Sequence, residues 1–473
     1  MNEFINMVLH ELRQGILRGL GAAIVVGAGI VWAYGRKRPF PWRKAILTLL
    51  FVGYLAVLDY ATLSRLGGMG ASGVNFHLFR AWREAWNHFS ITGWANVLLN
   101  IGLLVPFGLL APSLFPRCKR WRVMLLASLG GTLCIETTQY LTGSGIFDVD
   151  DLFGNTLGAM MGYGLRMLVW AAVSGQGLPK ILGYGLLAGL PLLAIAGIFI
   201  AYDAQEYGNL PDAYTYRIDT SKTKWAPDCQ LSGGEQVVDI YRMELPADWD
   251  ALRDHFEQVL NEDFERTDSH DESILYMNQR SNGPCAHFLT VHRMDGSYEL
   301  SWVYEKEPTP AKADRETIQR LLLKYGVSVP KAAEFSYLHS GIHLFTVEHV
   351  IEGDALLDGT ISCVYNQDGS LSKIRNNLMR CTLHGQTRIL SQQAAYEKLR
   401  RGEFADATGI LEHAAAITVT ACVLEYQPDT KGFLQPVFRF QLLAQEPCSV
   451  VIPAVTHPPN PRRVGVLFGK FRC

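Results

Sequence analysis

The residues whose types and spacing invite chemistry lie between Asn96 and Tyr163, in NVLLNIGLLVPFGLLAPSLFPRCKRWRVMLLASLGGTLCIETTQYLTGSGIFDVDDLFGNTLGAMMGY. Three apolar spans are present there, and polar side chains interrupt them. Asn100 breaks the first, Glu136 and Gln139 break the second, and Asn155 begins the third. Asp148, Asp150 and Asp151 form an acidic turn between the second and the third. An ionisable group at membrane depth is costly and marks a candidate functional site. Glu136 and Gln139 are one helical step apart and share a face. Arg65, at the end of an earlier span, is a candidate charge partner for one of the carboxylates. Oxygen-rich sets of this kind hold divalent cations, or bind the amine of a peptide or sugar precursor. A lone carboxylate in the membrane takes up a proton instead.

A structural reading competes with this one. Asn and Gln serve as interhelical glue worth about 1 kcal/mol each. Gly154, Gly158 and Gly162 recur at every fourth position and make a small-residue face for close helix packing. The acidic turn can simply cap the following helix, where negative charge favours the N-terminal dipole. On the sequence alone both readings stand.

The elements that must position these residues are apolar helices. Six spans are read near 19–35, 45–62, 93–112, 122–142, 152–173 and 181–201. Each has about the length that crosses a hydrocarbon core of roughly 30 Å. Pro106 and Pro191 fall inside spans and are expected to kink them. Residues 1–18 read either as an interfacial helix or as an extension of the first span, with no signal peptide expected. Between the second and third spans, NFHLFRAWREAWNHF carries Trp82, Trp86 and Phe89 at helical spacing. It reads as a helix in the membrane interface or as a re-entrant segment. The first loop holds Arg36, Lys37, Arg38, Arg43 and Lys44, and the third holds Arg117, Lys119, Arg120 and Arg122. Lys and Arg mark cytoplasmic loops. The acidic turn, the N-terminus and everything after the sixth span are therefore expected outside.

Near Ala201 the composition changes. Before it the chain is apolar and Gly-rich; from Tyr202 it has the charge density of a soluble domain. The expected organisation is 1–44 with the first span, 45–172 as a membrane domain, 173–201 as the last span, 202–228 as a linker and 229–473 as a soluble α+β domain. The fold class is thus a polytopic α-helical membrane bundle of about six spans, followed by antiparallel hairpins packed by helices. Strands are read at Gln236–Met243, Thr418–Tyr426 and Pro436–Leu443, and hairpins turning at Asp295-Gly296 and Asp368-Gly369. Helices are read at Asp248–Phe264, Asp314–Tyr325 and Ser391–Arg401. The 473 residues sum to a net charge of -2, which argues against a nucleic-acid partner. None of the nine cysteines forms a CxxC pair, and one or two disulfides are allowed. His339 and His343 are four apart at a strand turn, not on a helix, so they do not form a zincin pair. No nucleophile elbow, HExxH or P-loop is present. No catalytic residue, metal or cofactor is therefore assigned.

Taken together, Tyr60-Ala-Thr-Leu-Ser-Arg65, Asn96-x3-Asn100 with Pro106-Phe-Gly108, Glu136-x2-Gln139, and Asp148-x-Asp150-Asp151-x3-Asn155-x2-Gly158-x3-Gly162 resemble the VanZ-like family of bacterial membrane proteins. The resemblance covers about residues 45–172. One departure is Ser144-Gly145-Ile146, where many relatives carry an Arg before the aspartates. The resemblance implies a cell-envelope role connected with low-level teicoplanin resistance, and it implies no particular reaction. The implied partners are the lipid bilayer and a cell-wall precursor or envelope protein. A different reading is a membrane-anchored regulator or sensor whose extracytoplasmic domain binds a protein or ligand. In that vein, Glu425–Leu443 is similar to extracytoplasmic regulators that accompany cell-wall sensor kinases.

Overall fold

The computed structural model describes residues 20–29, 41–62, 73–211, 218–246, 248–269, 273–278, 285–304, 306–353, 355–404, 411 and 414–455. Arg65 and residues 1–18 lie outside them. The chain divides into two units, Met1–Ala85 with Ile91–Ala204, and Trp86–Ser90 with Gln205–Cys473.

The helical part runs α1 (Leu20–Gly29), α2 (Trp42–Thr62), β1 (Val74–Asn75), α3 (Arg80–His88), α4 (Ile91–Leu103) and α5 (Val105–Leu114). A 3-10 turn (Pro116–Lys119) follows, then α6 (Trp121–Thr142), β2 (Phe147–Asp148), α7 (Val149–Val173) and α8 (Leu178–Ala204). Among the described residues four stretches are long and apolar enough to cross a membrane: α2, α4 with α5, α7 and α8. That is fewer than the six expected. The first expected span is described only as the shorter helix α1. α6 has the length of a span, but Arg122, Thr132, Glu136 and Gln139 dilute its apolar character.

Pro106 acts as expected. It has no N–H to donate, and the chain breaks at Leu104 between α4 and α5. One carbonyl at the break, that of Leu103, accepts from the Tyr54 hydroxyl at 3.0 Å. Pro191, by contrast, sits within α8 without ending it. α6 stops at Gly143, whose φ of 67° lets its N–H reach back to the Gln139 and Tyr140 carbonyls.

α7 is the hub of this unit, packing against α4, α5, α6 and α8. Its small residues make that possible. A Cβ on Gly158 would fall 1.6 Å from the Ile101 carbonyl oxygen, so the α4 backbone lies directly on the glycine. The contact is answered from the other side, where a Cβ on Gly108 would fall 2.0 Å from the Ala159 oxygen. Leu104, Ala111, Met124, Ala159, Tyr163 and Met167 fill the space between these helices.

The second unit is rich in sheet. Its strands are β3 (Lys224–Pro227), β4 (Gln236–Met243), β5 (Glu265–Ser269), β6 (Ser273–Met277), β7 (Cys285–His292), β8 (Tyr298–Tyr304) and β9 (Glu334–Tyr337). They continue as β10 (Ile342–Glu352), β11 (Ala355–Tyr365), β12 (Leu371–Asn376), β13 (Met379–Ile389), β14 (Ala416–Pro428), β15 (Phe433–Leu443) and β16 (Pro447–Pro453). The helices are α9 (Asp250–Leu260), α10 (Arg315–Lys324) and α11 (Gln392–Arg400). All fourteen strands join one sheet, with main order β3-β14-β15-β4-β13-β11-β12-β8-β7-β6-β5. The pairings are antiparallel except β3 with β14. One apolar core holds Phe256 of α9 and Ile318 and Leu322 of α10; a second holds Ala395 and Leu399 of α11.

Most of the expected elements form. Asp314 caps α10 by accepting from Thr317 N–H at 2.8 Å, and Ser391 caps α11 by accepting from Ala394 N–H at 3.1 Å. α9 ends earlier than expected because Asn261 adopts a left-handed φ of 54°. β14 and β15 run further into the Gln427–Pro436 stretch than expected, pairing Gln427 with Gln435 and Pro428 with Leu434. The buried Asp429 carboxylate holds that tight turn, accepting from Lys431 N–H at 2.8 Å and Phe433 N–H at 2.9 Å. His343 is committed to structure. Its Nε2 accepts from Ala313 N–H at 3.0 Å and its Nδ1 bonds the Gly341 carbonyl at 2.8 Å. Cys118, Cys134, Cys229, Cys363, Cys381, Cys422 and Cys448 are free thiols, so no disulfide joins them.

Candidate functional site

The site is built where α6 ends and α7 begins. Asp148 is the N-cap of α7, and its carboxylate accepts from Asp150 N–H at 2.8 Å. The Asp148 N–H is satisfied from a different helix: Glu136 Oε2, one and a half turns before the end of α6, accepts it at 3.1 Å. Glu136 is only 1% exposed, so this bond is made away from water. Asp148 and Asp151 are near enough to Glu136 for their charges to be felt there. The short parallel pairing of β1 with β2 brings in Asn75, whose Nδ2 donates to both Asp148 oxygens at 3.1 Å.

Asp150 and Asp151, adjacent in sequence, point to different neighbours. Asp150 is buried and accepts from the N–H groups of Phe79 and, at 2.7 Å, Ala81. It therefore caps the N-terminus of α3, where Phe79 holds a left-handed φ of 65°. Phe79 and Trp82 pack on Phe153, with ring centroids 5.1 and 6.4 Å apart, and Trp82 meets Trp94 at 6.3 Å. Trp82 is thus turned toward the bundle. Asp151 faces α4, where its Oδ1 accepts from Asn100 Nδ2.

One turn further along α7, Asn155 donates to Thr132 Oγ1 at 3.0 Å. Thr132 belongs to a row of small polar residues on α6, Ser128, Thr132 and Glu136, all buried. Asn155 Oδ1 is buried and has no hydrogen-bond partner among the described residues. Gln139 is directed elsewhere, its Nε2 donating to the Thr62 carbonyl at 3.0 Å and tying α6 to the end of α2.

Seven of the eight residues singled out from the sequence are thus described. Glu136, Asp148, Asp151, Asn100 and Asn155 converge; Asp150 is spent on α3 and Gln139 on α2. Asn75 and Thr132 belong to the cluster without having been singled out. Both carry a sequence signal: Asn75 also accepts from His77 N–H two residues on, an Asx turn, and Thr132 lies one turn before Glu136 on the same face.

The electrostatics favour acceptors. Among the described residues no Lys or Arg pairs with Glu136, Asp148, Asp150 or Asp151. The dipoles of α7 and α3 offset part of the negative charge. What remains is a group of oxygens short of donors: Asp151 Oδ2, Asn155 Oδ1 and the Glu136 carboxylate. Among the described residues no three His, Cys, Asp or Glu side chains are grouped to hold a metal ion. An oxygen-rich, donor-poor cluster suits a group that brings its own N–H donors.

No curated protein and no solved structure matches the chain. The family model for VanZ/LLP1 matches residues 42–170, a little over a quarter of the chain, from α2 to near the end of α7. That match contains every described member of the cluster, and it makes the membrane-associated N-terminal region of this protein VanZ-like.

Proposed function

We propose that this multi-pass membrane protein of the bacterial cell envelope contributes to tolerance of glycopeptides, teicoplanin among them, by binding the protonated amine of a lipid headgroup or cell-wall precursor. The VanZ family is linked to glycopeptide resistance, which supplies the context. The observation that carries the chemistry is a cluster rich in acceptors and without a cation: Glu136 accepts only from the Asp148 N–H and Asp151 from Asn100, Asn155 Oδ1 is buried with no partner, and no Lys or Arg pairs with any of them among the described residues. An ammonium group placed there would supply three donors and one positive charge. Phe76 and Ile146, close in sequence to the cluster residues Asn75 and Asp148, are exposed and offer apolar surface suited to a lipid-borne ligand. The concentration of Arg and Lys at Arg117–Arg122, against the aspartates at Asp148–Asp151, supports an outward-facing cluster. By the same reasoning Gln205–Cys473 lies outside the membrane on that face.

The test is teicoplanin susceptibility of cells expressing Glu136→Gln or Asp151→Asn at unchanged protein level. Both should lose the tolerance that the unmodified protein confers. A second reading, a membrane-anchored regulator, is favoured by one observation: the C-terminal unit has cores of its own. Were both substitutions silent while removal of Gln205–Cys473 abolished tolerance, that reading would replace the first. A membrane-impermeant maleimide should label Cys229 on intact cells; labelling only after lysis would refute the orientation.

A further inference from the structure

A second feature sits at the far end of α7. From Asp150 to Arg166 the helix rises about 24 Å, which separates this region from the acidic cluster. A groove of about 570 Å³ opens here between α5 and α7, walled by Leu109, Leu165, Val169, Trp170 and Val173. Its one charged lining residue is Arg166, and no carboxylate faces it. Leu165, Val169 and Val173 are 45, 53 and 84% exposed, so at i, i+4 and i+8 they present an apolar stripe outward. Arg166 lies within a membrane-length helix, yet it bonds to a neutral group, Nε donating to Ser113 Oγ at 2.7 Å. Among the described residues it has no ion pair. The Nη groups are left to donate elsewhere.

The surroundings repeat this charge. The Tyr163 hydroxyl donates to the Lys119 carbonyl at 2.8 Å, which places the loop between α5 and α6 beside this part of α7. That loop carries Arg117, Lys119 and Arg120, and the first turn of α6 adds Arg122; none of them forms an ion pair among the described residues. A cation at the rim of an apolar groove, with further cations beside it and no acid to neutralise them, is complementary to an anion that carries a hydrocarbon tail. Trp170 adds an aromatic ring of the kind that settles at headgroup depth.

We propose that this groove binds one anionic phospholipid. A phosphate oxygen accepts from the Arg166 guanidinium, and an acyl chain lies along the Leu165–Val169–Val173 stripe. The apolar walls are the reason for choosing a lipid over free phosphate, which would gain nothing from them.

The experiment measures lipid retained by the full-length protein purified in detergent, using mass spectrometry after exposure to equal phosphatidylglycerol and phosphatidylcholine. The unmodified protein should retain phosphatidylglycerol preferentially, and Arg166→Gln should reduce that preference by about fivefold. Val169→Trp, which fills the groove and leaves Arg166 in place, should reduce retention of both lipids. It decides the matter if Arg166→Gln fails to fold by size-exclusion profile and circular dichroism. Equal retention of the two lipids by the unmodified protein would overturn the proposal, as would full phosphatidylglycerol preference in a folded Arg166→Gln or undiminished retention in Val169→Trp. Displacement of the lipid by millimolar inorganic phosphate would overturn it in favour of a free-phosphate site.

Discussion

Asp150 stands in the first turn of α7, but its carboxylate is spent on a different segment, accepting from the N–H groups of Phe79 and Ala81. Those donors are orphans of the α3 N-terminus, and a buried carboxylate both pairs them and meets the positive end of the helix dipole. The clasp also holds Phe79 in a left-handed conformation that a bulky residue rarely adopts unaided. Asp150→Ala should therefore release α3 without unfolding α7, whose own cap is Asp148. The loss of charge-assisted bonds is about 2 kcal/mol, which corresponds to roughly 30-fold faster hydrogen exchange at the Phe79 and Ala81 amides. Unchanged exchange at those amides would show that the aromatic packing of Phe79 and Trp82 holds the segment instead. The side-chain types in this cluster were legible in the sequence; their partners were not. Asp150 and Asp151 look alike on paper, yet a helix turns neighbours about 100° apart and sends them to α3 and α4 respectively.

At the scale of elements, α7 decides the arrangement of the helical unit. Its glycines recur every fourth residue, and the α4 and α5 backbones approach within contact of them. In a bilayer, helices gain little from hydrophobic burial against one another, so close van der Waals contact becomes the main source of association. Gly158→Val would drive a side chain into the Ile101 carbonyl and force α4 away from α7. The cost of such overpacking is on the order of 3 kcal/mol, and Asn100, one residue before Ile101, would be carried away from Asp151. The variant should lower the thermal unfolding midpoint in detergent and lose tolerance together with stability. Gly102→Val, with open space around its Cβ, should do neither. If the two variants behave alike, close backbone contact is not what holds α4 on α7.

At the scale of the whole molecule, ionisable groups buried in the C-terminal unit set limits at both ends of the pH range. Burial pushes the His343 imidazole down, and this outweighs its bond to the Gly341 carbonyl. A base whose folded value is depressed contributes stability that is present above its unfolded value near 6.5 and lost as pH falls through the folded value. Burial also pushes the Cys363 and Cys381 thiols up to about 12. Their contribution is present below the unfolded value near 8.5 and is lost as pH rises toward the folded one. Denaturant unfolding of this unit should therefore show a plateau of stability between about pH 6.5 and 8.5. His343→Gln should flatten the acid side alone, and the two thiols should resist alkylation at pH 8 until the unit unfolds. An acid limb unaltered in His343→Gln would assign that limb to other groups.

The sequence by itself determined which residues are chemically unusual, where four of the apolar spans and the hairpin turns fall, and that the chain joins apolar membrane-length helices to a domain of antiparallel strands. These are local properties: apolar run length, period and turn chemistry act over a few residues and are legible one window at a time. Caps such as Asp314 and Ser391 were readable for the same reason. The tertiary structure decided which polar residues meet. Glu136 reaching the Asp148 N–H, Asn75 joining through the β1–β2 pairing, and Gln139 leaving the cluster for Thr62 all depend on helix rotation and on contacts between distant segments. Among the described residues it shows four membrane-length apolar helices, α6 having the length but trading apolar surface for the buried polar row that builds the site. Spacing places polar residues along a helix; only packing against α7 decides which of them share a site.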